Sequence, residues 1–316
     1  MKQIALIVAA MAAGLGLGYL TGGFTFSSAV CLVAGVFLVT PSLFKFKFNI
    51  SDLGVIKTNL GSVGKNLFIN FILLTSAALG IGYLSQDIGI AAALFLLALL
   101  PGGGMVMMWI KQSGANVKLG FVLFMLNLAL LLPITLIFGQ FQTVAGGWFP
   151  VPDLTSVAGL EAGKQVKPFA PFMILIVIPF ILSRIAWAFL PGVISFTGKH
   201  QQLISKATMF GIVFYLFALS TSQLLFGVSM TEFITSLIAT SAFYAVTIAA
   251  AILLTDRSPT GKAVFWHIAT RYITLALILA VFSVGTFGAT FILPIMMAYF
   301  FQIGAAGFLS NRQRNA

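Results

Sequence analysis

Acid is scarce in this sequence: six Asp and Glu stand among 316 residues, against 17 Lys and Arg. Charged residues of both signs make up only 7% of the chain, and there is one cysteine, Cys31. These shortages exclude much. One cysteine forms no intramolecular disulfide and no multi-cysteine metal site, and inside an apolar run it reads as an inert buried thiol. The six acids fall mostly at the ends of apolar runs or in loops, and the two histidines, His200 and His267, are isolated. No phosphate-binding Gly-Lys loop, no His-Glu-x-x-His and no paired carboxylates within an apolar run occur. Acid–base or metal-assisted chemistry therefore has no cluster to work with, and neither catalytic residues, nor metal ligands, nor a cofactor are assigned.

What is abundant is apolar. Hydrophobic residues make up 60% of the chain, Phe alone accounts for 32, and the mean hydropathy is +1.09. That composition predicts an all-α polytopic membrane protein whose first partner is the lipid bilayer. The formal charge of +11 would suggest nucleic acid in a soluble protein. Here the basic residues sit in short loops between apolar runs, so a nucleic-acid partner is excluded. Apolar runs of spanning length lie near 3–20, 25–43, 67–84, 88–110, 118–139, 168–191, 207–227, 232–254, 263–283 and 286–309, ten in all. The first could be a secretory signal, but it is long and the second follows almost at once, so it reads as an uncleaved span.

Loop charge orients these spans. With the N-terminus inside, thirteen of the 17 basic residues are cytoplasmic, among them Lys45, Lys47, Lys57, Lys65, Lys199 and Lys206. Only Lys164 and Lys167 remain outside, while Arg184 and Arg271 fall within spans. The asymmetry predicts both termini on the cytoplasmic side of a bacterial-type inner membrane. The alternating segment Phe44-Lys45-Phe46-Lys47-Phe48 reads as a positive loop with interfacial aromatics. A turn-rich connection near 140–167 divides the spans into five and five, so that one transporter domain, 1–316, would hold a repeat of about 1–140 and another of about 168–310. An odd number of spans per half gives the halves opposite orientations, the inverted-repeat plan of many secondary transporters. Leu132-Pro133-Ile134 in the fifth span echoes Leu293-Pro294-Ile295 in the tenth.

The fourth run is broken by Pro101-Gly102-Gly103-Gly104. Proline removes a backbone donor and glycines weaken a helix. In hydrocarbon such a break survives only where protein buries it or where it lines a cavity, and secondary transporters place substrate there. The ninth run is the second unusual place. It carries His267, Thr270 and Arg271 in the middle of apolar sequence. An intramembrane arginine usually faces a cavity or a partner. If the ninth span mirrors the fourth, Thr270 and Arg271 lie close to the Pro101–Gly104 break. Elsewhere, Arg184 reads as snorkelling to the interface, Glu232 as interfacial, and Asn127 and Gln223 as interhelical hydrogen-bonding groups.

The stretch PGGGMVMMWIKQSGANVKL, from Pro101 to Leu119, resembles the fourth span of the bile acid:sodium symporter superfamily. FLVTPSLFKFKFNISDL is similar to that family's second span and following loop, and TRYITLALILAVF to its second crossover helix. The arsenical-resistance permeases of the same superfamily share the span spacing. The resemblance implies ten helices in two inverted five-helix repeats, a panel and a core domain, and two broken helices, four and nine, crossing at the site. It further implies an organic anion as substrate, often driven by sodium. The positions matching the family's cation ligands hold Val106-Met107, Asn116, Phe265 and Ala269-Thr270. None is a carboxylate, so sodium coupling of the family's kind is not expected. The arsenical permeases use a cysteine near the break, where this chain has Gly103 and Gly104.

These readings converge on a secondary transporter moving a small organic anion by alternating access. The expected substrate site comprises Pro101, Gly102, Gly103, Gly104, Val106 and Met107, facing His267, Thr270 and Arg271. Arg271 would supply the positive charge that relatives take from sodium, and His267 offers a route for proton coupling. The alternatives are an arsenite or other oxyanion efflux permease, a non-transporting membrane sensor or assembly relative, and a membrane-embedded enzyme. Oligomeric state is not set by any of these features.

Overall fold

Among the described residues of the computed structural model every regular element is a helix, apart from one isolated extended bridge. Residues 2–21, 32–33, 35–37, 40, 54–103, 106–150 and 169–314 are described. Cys31, Phe44–Phe48, Gly104, Lys164, Lys167 and most of the expected second span lie outside the described residues, as does the side chain of Gln223.

In chain order the helices are α1 (Lys2–Thr21), α2 (Gly54–Thr58), α3 (Leu60–Phe68), α4 (Leu74–Ser85), α5 (Ile88–Leu99), α6 (Val106–Gln112), α7 (Val117–Gly139) and α8 (Phe141–Ala145). They continue with α9 (Phe169–Phe189), α10 (Pro191–Gly227), α11 (Met230–Leu254), α12 (Pro259–Ala269), α13 (Ile273–Phe287) and α14 (Ile292–Arg314). A π-helical turn, Ile69–Leu73, joins α3 to α4. Among the described residues, four helices are long and apolar enough to cross a membrane: Leu60–Ser85, Val117–Trp148, Met230–Leu254 and Ala289–Ala306. The bent pair Val177–Phe189 and Pro191–Thr197, turned by 112°, makes a fifth if counted as one span. Ala5–Thr21 and Ile88–Leu99 are apolar but shorter. These helices fit a membrane protein.

Two sequence expectations are corrected. The connection between the sixth and seventh spans, with Lys199 and Lys206, is not a loop but part of α10, which runs unbroken for 37 residues. Pro191 occupies the first turn of that helix, where a missing N–H costs nothing, so it starts the helix instead of ending one. The echo between the two Leu-Pro-Ile triplets also fails as a repeat signal. Pro133 lies deep inside α7, whereas Pro294 lies in the first turn of α14.

The chain divides into two compact units: Met1–Phe48, Leu154–Val228 and Leu277–Ala289 form the first, and Asn49–Asp153, Ser229–Ala276 and Thr290–Ala316 the second. In the first unit α1 packs along α10. At Gly14 an added Cβ would come within 2.4 Å of the Phe214 carbonyl, so the approach needs glycine. On α9, Arg184 sits half-buried with its guanidinium 5.1 Å from the Phe180 ring centre, a cation–π contact.

The second unit is built around α5. Every residue from Ile88 to Leu99 is buried. A helix apolar on all sides belongs in the interior. Asp87 caps its start by accepting from the Ile90 N–H, and Gly82 of α4 lets Ala91 pass at a distance no side chain would allow. Helix α11 is patterned inside out. Ser236, Thr240, Tyr244 and Thr247 face inward, while Phe233, Ile234, Leu237 and Ile238 are outside. Such a face suits lipid, and the Thr240 hydroxyl settles its own need by donating to Ser236 O at 2.7 Å. At the start of α11, Ser229 and Glu232 form a capping box, which gives Glu232 its place at the helix end.

Candidate functional site

Two helices of the second unit break, and the breaks are paired backbone to backbone. Leu100, forced out of helical geometry by the proline that follows, ends α5. Thr270 turns extended after α12. Pro101 and Arg271 then form an antiparallel bridge. The Gly102 N–H donates to Thr270 O at 2.9 Å, and the Tyr272 N–H donates to Leu100 O at 2.8 Å. Each break supplies hydrogen-bond partners for the other, as buried unwound backbone requires. Gly102 has φ +72°, and a Cβ there would sit 2.8 Å from His267 Nδ1. A Cβ on Gly103 would come within 3.2 Å of both Arg271 O and Tyr272 Cα. The glycines thus provide a left-handed turn and a close approach to the second break. Gly104 lies outside the described residues.

Arg271 is 1% exposed. Its Nη1 donates to Ala98 O at 3.2 Å and its Nη2 to Ile268 O at 2.8 Å. Both acceptors are last-turn carbonyls, one from α5 and one from α12, which have no partner within their helices. Each helix C-terminus carries about half an elementary negative charge, so two together offset about one guanidinium. This explains how a buried arginine persists with no carboxylate partner among the described residues. Its Nε–H has no partner. The Arg271 backbone is clamped by Gln302 of α14: Oε1 accepts from the Arg271 N–H at 2.5 Å and Nε2 donates to Arg271 O at 3.2 Å. The Tyr244 hydroxyl donates to the same Gln302 Oε1 at 3.4 Å.

His267 is fully buried on α12 and ties the first break to α7. Its Nε2 is 2.9 Å from Gly120 O, and its Nδ1 is 3.3 Å from Asn127 Nδ2. A carbonyl only accepts and an amide nitrogen only donates, so Nε2 carries the proton and Nδ1 accepts. Protonating Nδ1 would set N–H against N–H. The geometry therefore holds a neutral imidazole, and the expected proton route through His267 has no support in it. Asn127 Nδ2 also donates to Pro101 O at 3.4 Å. Asn127, Gln302, Tyr244 and Gly120 join the site without having been assigned to it from sequence. Asn127 stood out as a lone polar residue in an apolar run, and Gln302 carried the same signal.

A small pocket, with room for about one water-sized molecule, adjoins the first break, lined by Leu100, Pro101, Phe124, Asn127, Leu128, Leu131 and Tyr272. Of the residues expected from sequence only Pro101 lines it. Gly102, Gly103, His267, Thr270 and Arg271 gather directly behind it at the bridge. Val106 and Met107 are buried in α6 and do not line it. That short helix is instead held to α12 by Trp109 stacked on Trp266, ring centres 5.5 Å apart, and by Trp266 Nε1 donating to Ser113 Oγ at 2.9 Å.

The far ends of the two broken helices are tied in matching ways. Asp87, capping α5, accepts from the Thr290 hydroxyl just before α14. Pro259, opening α12, accepts from the N–H of Asn116, which caps α7. Near Pro259, the Ser258 hydroxyl and N–H donate to Asp256 and hold its carboxyl below the usual carboxylate range. No protein-family model matches the chain, and no curated protein matches it.

Proposed function

We propose that this protein is a secondary transporter of the bile acid:sodium symporter type that moves a small organic anion by alternating access, without the cation sites of that family. One observation carries the reading: two helices break at the same place, and the breaks pair with each other beside a pocket. Broken helices that meet at depth are the usual home of a transported solute. No cluster of three or more His, Cys, Asp or Glu occurs among the described residues, so a different chemistry must manage charge at the crossing.

Arg271 is that chemistry in this reading. It offsets the negative ends of α5 and α12, a place where a bound cation would otherwise be favourable. The N-terminus of α13 then adds partial positive charge, and the Arg271 Nε–H is unspent. A crossing of that balance favours an anion.

The ten-helix inverted repeat belongs to the same proposal. Supporting it are the order of elements and the ties. In each half a long helix (α3–α4, α11) precedes a broken one (α5–α6, α12–α13) and then a further long one (α7, α14). The start of each broken helix is bonded to the start of the other half's final helix. Both compact units take helices from both halves of the chain, as a panel and a core would. The test is uptake of labelled small carboxylates into proteoliposomes holding the purified protein. The expected result is saturable uptake and counterflow above empty vesicles; flux equal to empty vesicles for every acid, with the protein folded, overturns the reading.

A further inference from the structure

One end of the second unit is basic and open to its surroundings. Lys57, Lys65, Lys111, Lys118 and Arg257 are exposed there, and Lys262 is half-buried. Packing brings them to the same end. Helix α3 lies on α12, and α2 on α7. The bond from the Asn116 N–H to Pro259 O sets the starts of α7 and α12 side by side, and Trp266 holds Ser113, just past the end of α6, to α12. The one acid described at this end is Asp256, near enough to Lys65 for the ammonium to hold its carboxyl lower still. That carboxyl is already engaged by the Ser258 hydroxyl and N–H. The other described acids of this unit, Asp87 and Glu232, stand at the starts of α5 and α11, at the opposite end.

Apolar surface adjoins the charge. On α3, Leu60 and Phe68 are exposed, and Ile72 of the π-helical turn follows. Phe68 lies three residues beyond Lys65 and so shares its helix face. At the end of α11, Ile252, Leu253 and Leu254 are exposed, and the chain then turns basic at Arg257. Apolar side chains bordered by cations match the two halves of a phospholipid, acyl chains against the first and phosphate against the second. A nucleic acid or an acidic protein would answer the charge and leave the apolar band bare.

We propose that the corner formed by α3 and the end of α11 seats an anionic phospholipid, with its phosphate between Lys65 and Arg257 and its acyl chains along Phe68, Ile72 and Leu253. The remaining basic residues of this end supply the field that draws the headgroup in. Arg257 can bond two phosphate oxygens at once, and Lys65 adds a point charge. The proposal does not rest on the transport reading, because a lipid seat serves any protein embedded this way.

The experiment titrates dioleoylphosphatidylglycerol, dioleoylphosphatidylcholine and soluble glycerol phosphate onto the purified full-length protein in neutral detergent. Binding is read by native mass spectrometry and by thermal stabilisation. Phosphatidylglycerol is expected to bind about 10-fold more tightly than phosphatidylcholine. Lys65→Gln combined with Arg257→Gln is expected to bring the two lipids to within about twofold, while Lys65→Arg combined with Arg257→Lys keeps the preference. Lys199→Gln combined with Lys206→Gln, which removes the same charge from α10, is expected to keep it as well. Equal binding of the two lipids to the wild-type protein overturns the proposal. So does an equal loss in the α10 pair, which would reduce the preference to net charge. Glycerol phosphate binding as tightly as the lipid overturns the acyl-chain half and makes the corner a free phosphate site. If the glutamine pair does not fold, Lys65→Gln and Arg257→Gln taken singly are each expected to lower the preference about threefold, and no change in either overturns the assignment.

Discussion

The two helix breaks meet at one bridge and are made of opposite materials. The first, after α5, is proline and glycine with no functional side chain. The second, after α12, is Thr270-Arg271-Tyr272, with neither proline nor glycine. The first gives space: a left-handed turn at Gly102 and close passage at Gly103. The second fills that space with charge, and a single guanidinium reaches the ends of both broken helices. Neither break is self-sufficient. Residues without side chains cannot neutralise helix ends, and a bulky polar segment cannot pass another of its kind. In the transport reading proposed above, this pairing takes the place of a bound ion at the carbonyls of the two helix ends.

Removing the charge should have the largest effect. In Arg271→Met the Ala98 and Ile268 carbonyls lose charge-assisted donors worth about 3 kcal/mol, and carboxylate uptake should fall by about 100-fold. Arg271→Lys keeps the charge but is a compact point donor that does not fork to two carbonyls, so a loss of about 10-fold is expected. Equal, unimpaired uptake in both variants would make Arg271 a bystander. Filling the space comes next. Gly102→Ala puts a Cβ into the left-handed region at a cost of about 1–2 kcal/mol, and against His267 as well. Thermal stability in detergent should drop, and more than for Thr270→Val, whose hydroxyl bonds only within its own helix end. The reverse order would mean that the first break depends less on glycine than its geometry requires.

The pH profile should show the smallest change. His267 is held neutral between a carbonyl and an amide donor, so charging it removes the Asn127 hydrogen bond. Uptake at fixed substrate charge should vary less than about twofold over the range where an ordinary histidine titrates. A steep rise toward acid pH would restore His267 as a proton carrier.

The contrast between the breaks also explains what the sequence disclosed. Pro101 and its glycines announce an interruption because their backbone chemistry is local, and a lone arginine in apolar sequence marks the second place. The meeting of the two could be inferred only by assuming that the halves mirror each other, and it is the meeting that backbone pairing at Pro101 and Arg271 realises. What Arg271 bonds to was illegible, because Ala98 and Ile268 contribute carbonyls that carry no side-chain signal. Asn127 was read as a polar residue in an apolar run and Gln302 was passed over, since the role of each depends on which helices meet. Val106 and Met107 were chosen by alignment with a motif; their helix turns them into the core and away from the pocket. Pro191 was read as the end of a span, yet it sits in the first turn of a helix and opens it.

The central claim is that Arg271 does at the crossing what a bound cation would do. Its most direct test is the initial rate of carboxylate uptake into proteoliposomes with sodium, or with choline in its place, at matched osmolarity and membrane potential. The account predicts rates equal within about twofold, since the helix ends already have their counter-charge. A stimulation of about 10-fold or more by sodium, lost when the gradient is collapsed, would contradict it.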